Sequence, residues 1–156
     1  MVKLGFDYLY RGDINTAMKR FNQAWLLDPK NENAYWGFGA VYFTFNDYDE
    51  ALKQLEKGLS INPSSSSILT DIATINVSFY MTKHDIGYLN KTIVLFNQPY
   101  KLDPSNQNTL FKLSAAYYYK NDCTNAWKYY KECMKLGGRP IPTGFADALK
   151  KQCPGN

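Results

Sequence analysis

Residues 33–63 read NAYWGFGAVYFTFNDYDEALKQLEKGLSINP, and the rest of the chain repeats this stretch with alterations. Tyr35, Phe38, Gly39 and Tyr42 stand at spacings of three, one and three, and Ala51, Leu55, Gly58 and Pro63 follow. Moving 34 residues toward the N-terminus brings back the same classes as Leu4, Gly5, Tyr8, Ala17, Phe21, Ala24 and Pro29, with Asp13 in the place of Asp47. A fixed period that alternates aromatic and small residues marks a solenoid of helical hairpins. Gly5 and Gly39 let a second helix come close, Ala17 and Ala51 are its small partners, and Tyr8, Phe21, Tyr42 and Leu55 fill the space between. Neither helix of a hairpin can bury its apolar stripe alone, so the hairpins must stack.

These residues and their spacing resemble the tetratricopeptide repeat. The resemblance implies an all-α, right-handed superhelix of about four helical hairpins closed by a C-terminal capping helix. On that register the repeats cover about 1–31, 32–65, 66–106 and 107–140, and the cap helix covers about 143–152, within a single domain, 1–156. Met1 falls at about the fourth position of the first repeat, so its helix begins without a cap and the chain reads as an excised or processed piece.

Local signals set the ends of the helices. Asp13, Asp47 and Asp122 precede second helices, where a short side chain can accept from orphan amides of the first turn. Asn31, Ser65 and Asn106 do the same for first helices, and Pro29 stops the second helix of repeat one. From Pro63 to the matching Pro104 is 41 residues, seven beyond the period. Seven residues make about two helical turns, so the third hairpin is expected to lengthen to about Ser66–Thr82 and Ile86–Leu102, with Asp85 capping a protruding elbow. Pro99 inside the second of these helices predicts a kink or a break. Gly137 and Gly138 end repeat four, and Phe145, Leu149 and Cys153 share one stripe of the cap helix.

A chain of 156 residues, 45% apolar and 21% charged, can form one domain with a sizeable core. No apolar run approaches the roughly 18 residues of a membrane span. The net charge of +4 sits at the C-terminal end, where residues 105–156 hold eight Lys or Arg against three acids. Solvated helix faces explain this surplus, and an acidic partner is the alternative.

Enzyme chemistry has no foothold in the pattern. The chain has one histidine, His84, placed at an elbow, and lacks a glycine-rich phosphate loop after a strand, a Cys-x-x-Cys and a His-Glu-x-x-His. No enzyme, cofactor, metal site or small-molecule substrate is expected. Cys123 reads as a small, half-buried residue, while Cys133 and Cys153 either bridge the last repeat to the cap helix or remain two buried thiols. Ordinary antiparallel packing sets these two at different heights and argues against the bridge. If it forms, the chain is periplasmic or otherwise exported; if not, cytoplasmic.

The resemblance places function in a concave groove lined by the first helix of each repeat and holding a peptide. Carried over by register, the groove residues are Phe6 and Tyr10 from repeat one, then Trp36, Ala40 and Phe43 from repeat two. Repeat three supplies Thr70, Asp71 and Thr74, and repeat four Phe111, Lys112, Ala115 and Tyr118. The Lys and Asn clamp with which some relatives hold carboxylate tails of chaperones is missing, since Val2, Phe6, Gly37, Ser67 and Asp71 stand there. The expected function is a protein-interaction module whose aromatic groove binds a peptide or partner segment. The alternatives are a structural or assembly domain of a larger bacterial envelope protein or lipoprotein with the groove unused, and a helical-repeat RNA binder. Nucleic acid is disfavoured because the groove carries little charge.

Overall fold

Each hairpin turns on the same two-residue device. A residue with positive φ, Gly12 at 82°, Asn46 at 58°, His84 at 53° or Asn121 at 60°, stands immediately before an aspartate. Three of those aspartates then cap the second helix: Asp13 accepts from the Thr16 amide at 3.0 Å, Asp47 from Glu50 at 3.2 Å and Asp122 from Asn125 at 3.1 Å. Asn and His tolerate the left-handed region better than most side chains, and Gly reaches it without strain. At the lengthened elbow Asp85 accepts instead from Gly87 N–H at 2.8 Å.

Residues 1–155 are described by the structure, a computed structural model. Among them every regular element is α-helical: α1 (Val2–Tyr10), α2 (Ile14–Leu27), α3 (Glu32–Thr44), α4 (Tyr48–Ile61), α5 (Ser66–Lys83), α6 (Gly87–Leu102), α7 (Gln107–Tyr119), α8 (Cys123–Lys135) and α9 (Phe145–Gln152). The all-helical repeat fold expected from the period is present. The seven extra residues are divided unequally, since α5 has 18 residues against 13 in α3, and α6 has 16 against 14 in α4. The helix α6 does not break at Pro99. It continues to Leu102, and the Pro99 carbonyl accepts from Asp103 N–H at 2.9 Å.

The chain forms two compact units, Met1–Ile75 and the residues from Asn76 on, with the division inside α5. In the first unit Phe21 is fully buried with Phe6, Ala17 and Val41 around it. Its ring occupies the space that side chains at Gly5 and Gly37 would need. One step along, Gly39 lies over Leu55 and Gly58 over Ile68. These glycines are close-approach positions, where absence of a Cβ lets neighbouring helices meet at close-packed density.

In the second unit the core gathers Ala126, Trp127, Leu149 and Cys153, with Tyr117, Tyr118, Tyr130 and Phe145 against them. Ser114 Oγ satisfies itself by donating to the Ala126 carbonyl at 2.9 Å, and Asn76 Nδ2 donates to Thr92 Oγ1 at 3.2 Å, as buried polar groups require. The disulfide in this unit joins Cys123 to Cys153, with Cα atoms 5.5 Å apart. Of the two readings of Cys133 and Cys153 neither holds: Cys153 is bridged, as the first allows, but its partner is Cys123, which reads in sequence only as a small, half-buried residue. The C-terminal end of α9 lies beside the N-terminal end of α8, where Cys123 begins the helix, whereas Cys133 is near the other end. Cys133 is a buried free thiol whose Sγ approaches the Gln107 carbonyl at 3.5 Å.

Candidate functional site

Helical periodicity puts Ala40, Phe43 and Thr44 on one side of α3, opposite residues that pack inward. In the first unit this side and parts of α1, α4 and α5 enclose a pocket of about 310 Å³. Leu9 and Tyr10 come from α1, Gly39, Ala40, Phe43 and Thr44 from α3, Leu55 from α4, and Asp71 and Thr74 from α5. Tyr10 is 79% and Phe43 37% exposed, so both rings stand at the mouth. The interior is mostly hydrocarbon, with polar groups contributed by Thr44, Asp71 and Thr74. A mostly apolar hollow with a few placed polar groups is the usual make-up of a ligand site.

Two interactions hold its wall. Trp36 Nε1 donates to Asp71 Oδ2 at 2.8 Å, fixing the carboxylate of α5 against α3. On the other side the Trp36 ring lies 4.2 Å from the Phe6 ring, centroid to centroid, which ties α3 to α1. Thr74 Oγ1 donates to the Thr70 carbonyl at 2.9 Å and Thr44 Oγ1 to the Val41 carbonyl at 2.7 Å. Both hydroxyl protons are used within their own helices.

Of the eight expected groove residues in this unit, Tyr10, Ala40, Phe43, Asp71 and Thr74 line the pocket. Trp36 and Thr70 are half-buried beside it, and Phe6, only 8% exposed, is a core residue. Gly39 and Leu55 belong to the packing register, yet they line the pocket too, and so do Leu9 and Thr44, which the groove assignment left out although they stand 34 residues from Phe43 and Tyr10. Gly39 is the signal that could have revealed Leu55: with no side chain at that position, the buried Leu55 lies directly behind the wall of the hollow.

The second unit holds the remaining four. Phe111 and Tyr118 meet the ring of Phe145 at 5.3 and 5.6 Å, both edge-on. Gln152 Nε2 adds a bond to the Tyr118 carbonyl at 2.6 Å, so α9 rests on these two residues. Lys112 Nζ lies 5.8 Å from the Phe111 ring centroid, and Ala115 is half-buried. Among the described residues no cluster of three His, Cys, Asp or Glu side chains could hold a metal ion. No helix among them is long and apolar enough to cross a membrane.

Comparison with known proteins agrees with this architecture. Residues 8–70 match the sequence model described as "Tetratricopeptide repeat". Mouse tetratricopeptide repeat protein 16 is 24% identical over 144 residues, covering 92% of this chain and 18% of that protein. A TPR repeat-containing protein of Methanocaldococcus jannaschii is 22% identical over 136 residues, covering 84% of this chain and 22% of that one. This chain therefore spans about a fifth of the length of these two relatives. Among solved structures, a thermophilic TPR protein of Thermus thermophilus superposes with a TM-score of 0.73 at 15% identity, covering 97% of this chain and 78% of its own. The protein MamA gives 0.68 at 17% identity, covering 96% and 79%. At such identities the likeness is one of fold.

Proposed function

We propose that this tetratricopeptide repeat protein is a non-catalytic interaction module whose first unit holds a segment of a partner protein in the pocket between α1, α3 and α5. The observation that carries the reading is the convergence of Tyr10, Ala40, Phe43, Asp71 and Thr74, from three separate helices, on one hollow of about 310 Å³. Rings at a mouth and an apolar interior supply the anchor pocket that dominates most protein–peptide binding energy. The other four expected residues support it less, because α9 covers Phe111 and Tyr118. The test is capture of partners by the whole chain, mapping of the bound segment, and repetition with Phe43→Ala and Thr74→Trp. Both variants should lose capture, with Thr74→Trp melting like the wild type and Phe43→Ala remaining folded with a lowered midpoint, since its ring also packs on Tyr48. Undiminished capture by both would overturn the pocket as the site.

The Cys123–Cys153 bond favours an exported location, since such bonds persist in oxidising compartments. It also lends weight to the alternative of a structural part of an envelope assembly. Self-association of the whole chain, unaffected by Thr74→Trp and accompanied by no segment capture, would favour that alternative.

A further inference from the structure

In the second unit the face of α7 that the repeat register assigns to a groove is already filled. Phe145 of α9 stands in a socket of three rings, Phe111, Tyr118 and Tyr130, with centroids at 5.3, 5.6 and 6.2 Å. One turn on, Leu149 is fully buried in a cluster with Ala126 and Trp127. A short amphipathic helix that lays an aromatic and an aliphatic side chain, at i and i+4, on an apolar hollow docks as a partner helix does in a groove. α9 therefore sits where a ligand helix would, and the Cys123–Cys153 bond clamps its far end to α8. Its other ties are non-covalent and reversible. Eight residues fall short of the length at which an isolated helix keeps its shape in water. A bonded α9 cannot leave, whereas an unbonded one competes with other helices at the local concentration set by the linker, residues 136–144.

We infer that α9 is a redox-latched plug in the second unit's own groove, and that the opened groove takes an amphipathic helix of a partner with an aromatic residue at i and leucine at i+4. The opening step is thiol–disulfide exchange with a dithiol. Cys123 is half-buried and Cys153 is 1% exposed, so Cys123 offers the more accessible sulfur. The first thiolate of the reductant attacks Sγ of Cys123, and Cys153 leaves as a thiolate and is protonated. The second thiol of the reductant then closes on the first and releases Cys123, so the dithiol becomes a disulfide and the protein gains two electrons and two protons. The inference concerns the second unit alone and stands whether or not the pocket of the first unit binds a peptide.

The probe is a fluorescein-labelled peptide of residues 143–155 carrying Cys153→Ser, measured by anisotropy against the full chain before and after dithiothreitol. Reduction should tighten its binding about tenfold, and Phe145→Ala with Leu149→Ala in the peptide should remove the gain. The full chain with Cys153→Ser gives a second measurement, because its Cys123 is then a free thiol beneath α9. Offered the peptide with its cysteine retained, and glutathione disulfide as the oxidant, Cys123 should be captured about tenfold faster by the native stripe than by the alanine peptide. Equal capture by the two peptides, or an affinity that reduction leaves unchanged, would overturn the latch. A chain that unfolds on reduction would overturn it as well, since α9 would then be part of the core and not a plug.

Discussion

Trp36 of α3 and Asp71 of α5, 35 residues apart in sequence, are joined by a 2.8 Å hydrogen bond from the indole to the carboxylate. On its other side Trp36 packs against Phe6 of α1. One half-buried side chain therefore ties three first helices together, and it does so beside the pocket rather than in it. Trp36 positions the wall and is a poor probe of contact with a ligand.

Trp36→Phe is expected to cost about 1–2 kcal/mol, because the ring remains and the bond to Asp71 is lost. Trp36→Ala also opens a cavity beside Phe6 and should cost about 3 kcal/mol. Urea denaturation of the two variants checks both values. A Trp36→Ala protein as stable as the wild type would show that the tie contributes nothing.

Gly37 and Gly12 are expected to respond to alanine for different reasons. A Cβ at Gly37 would overlap the ring of Phe21, which is fully buried and flanked by Gly5 as well. Overpacking of this kind costs about 1–3 kcal/mol, and Gly37→Ala should sit at the upper end because the ring has no open space to move into. At Gly12 nothing lies within 4 Å of an added Cβ, but φ is +82°. Gly12→Ala should therefore cost about 1 kcal/mol of backbone strain alone. Denaturation midpoints of the two variants, ordered Gly37→Ala well below Gly12→Ala, would agree; the reverse order would not.

The helices and their caps were legible because they rest on short-range chemistry: an aspartate at the start of a helix reaches an amide three residues on, whatever the rest of the chain does. The period then extended the reading from one hairpin to the next. The candidate site was legible only in part. Spacing assigns a residue to a face of its own helix but does not say which later element lands there. For that reason Phe6 went under Trp36, and Phe111 and Tyr118 went under Phe145, although all three share a face with exposed neighbours. The same gap hid the cysteine pairing, which depends on how α9 docks on α8. Hairpin elbows contained an unread signal, the Asn-Asp and Gly-Asp pairs in which the first residue takes positive φ.

Tyr100, Tyr117 and Tyr129 make the second unit sensitive to alkali. Burial pushes all three phenols above their usual range, with the bond from Tyr100 to Glu132 adding to the shift of Tyr100. The neutral phenol is thus favoured by the fold, while the unfolded chain ionises near 10.0. Their contribution is fully present below about pH 10 and is lost as the pH rises through the folded values. The melting temperature should fall above about pH 10, and Tyr129→Phe, which cannot ionise, should flatten the fall. An identical alkaline decline in the variant would place its cause elsewhere.

The bond between Cys123 and Cys153 closes a separation of 30 residues at the first residue of α8 and the residue after α9. The loop-entropy treatment gives such a bridge about 3.6 kcal/mol. An eight-residue helix such as α9 is marginal without tertiary support. Its other ties are Leu149, fully buried, the ring contacts of Phe145, bonds from Gln152 Nε2 to the Tyr118 carbonyl and Asn121 Oδ1, and a bond from Trp127 Nε1 to the Cys153 carbonyl at 3.0 Å. Reduction, or Cys153→Ser, should therefore loosen α9 without unfolding the chain. Amide exchange should quicken over residues 145–153 and stay unchanged over α1–α4. Thiol reagents give a second readout, because burial pushes the Cys133 thiol up and shields it. Native oxidised protein should show no fast-reacting thiol, unfolded unreduced protein one, and unfolded reduced protein three. Three reactive thiols in unreduced protein taken from an oxidising source would mean that the bridge does not form. The anchoring of α9 would then rest on Leu149, Phe145, Gln152 and the bond from Trp127 to the Cys153 carbonyl, and Cys153→Ser should leave amide exchange over residues 145–153 unchanged.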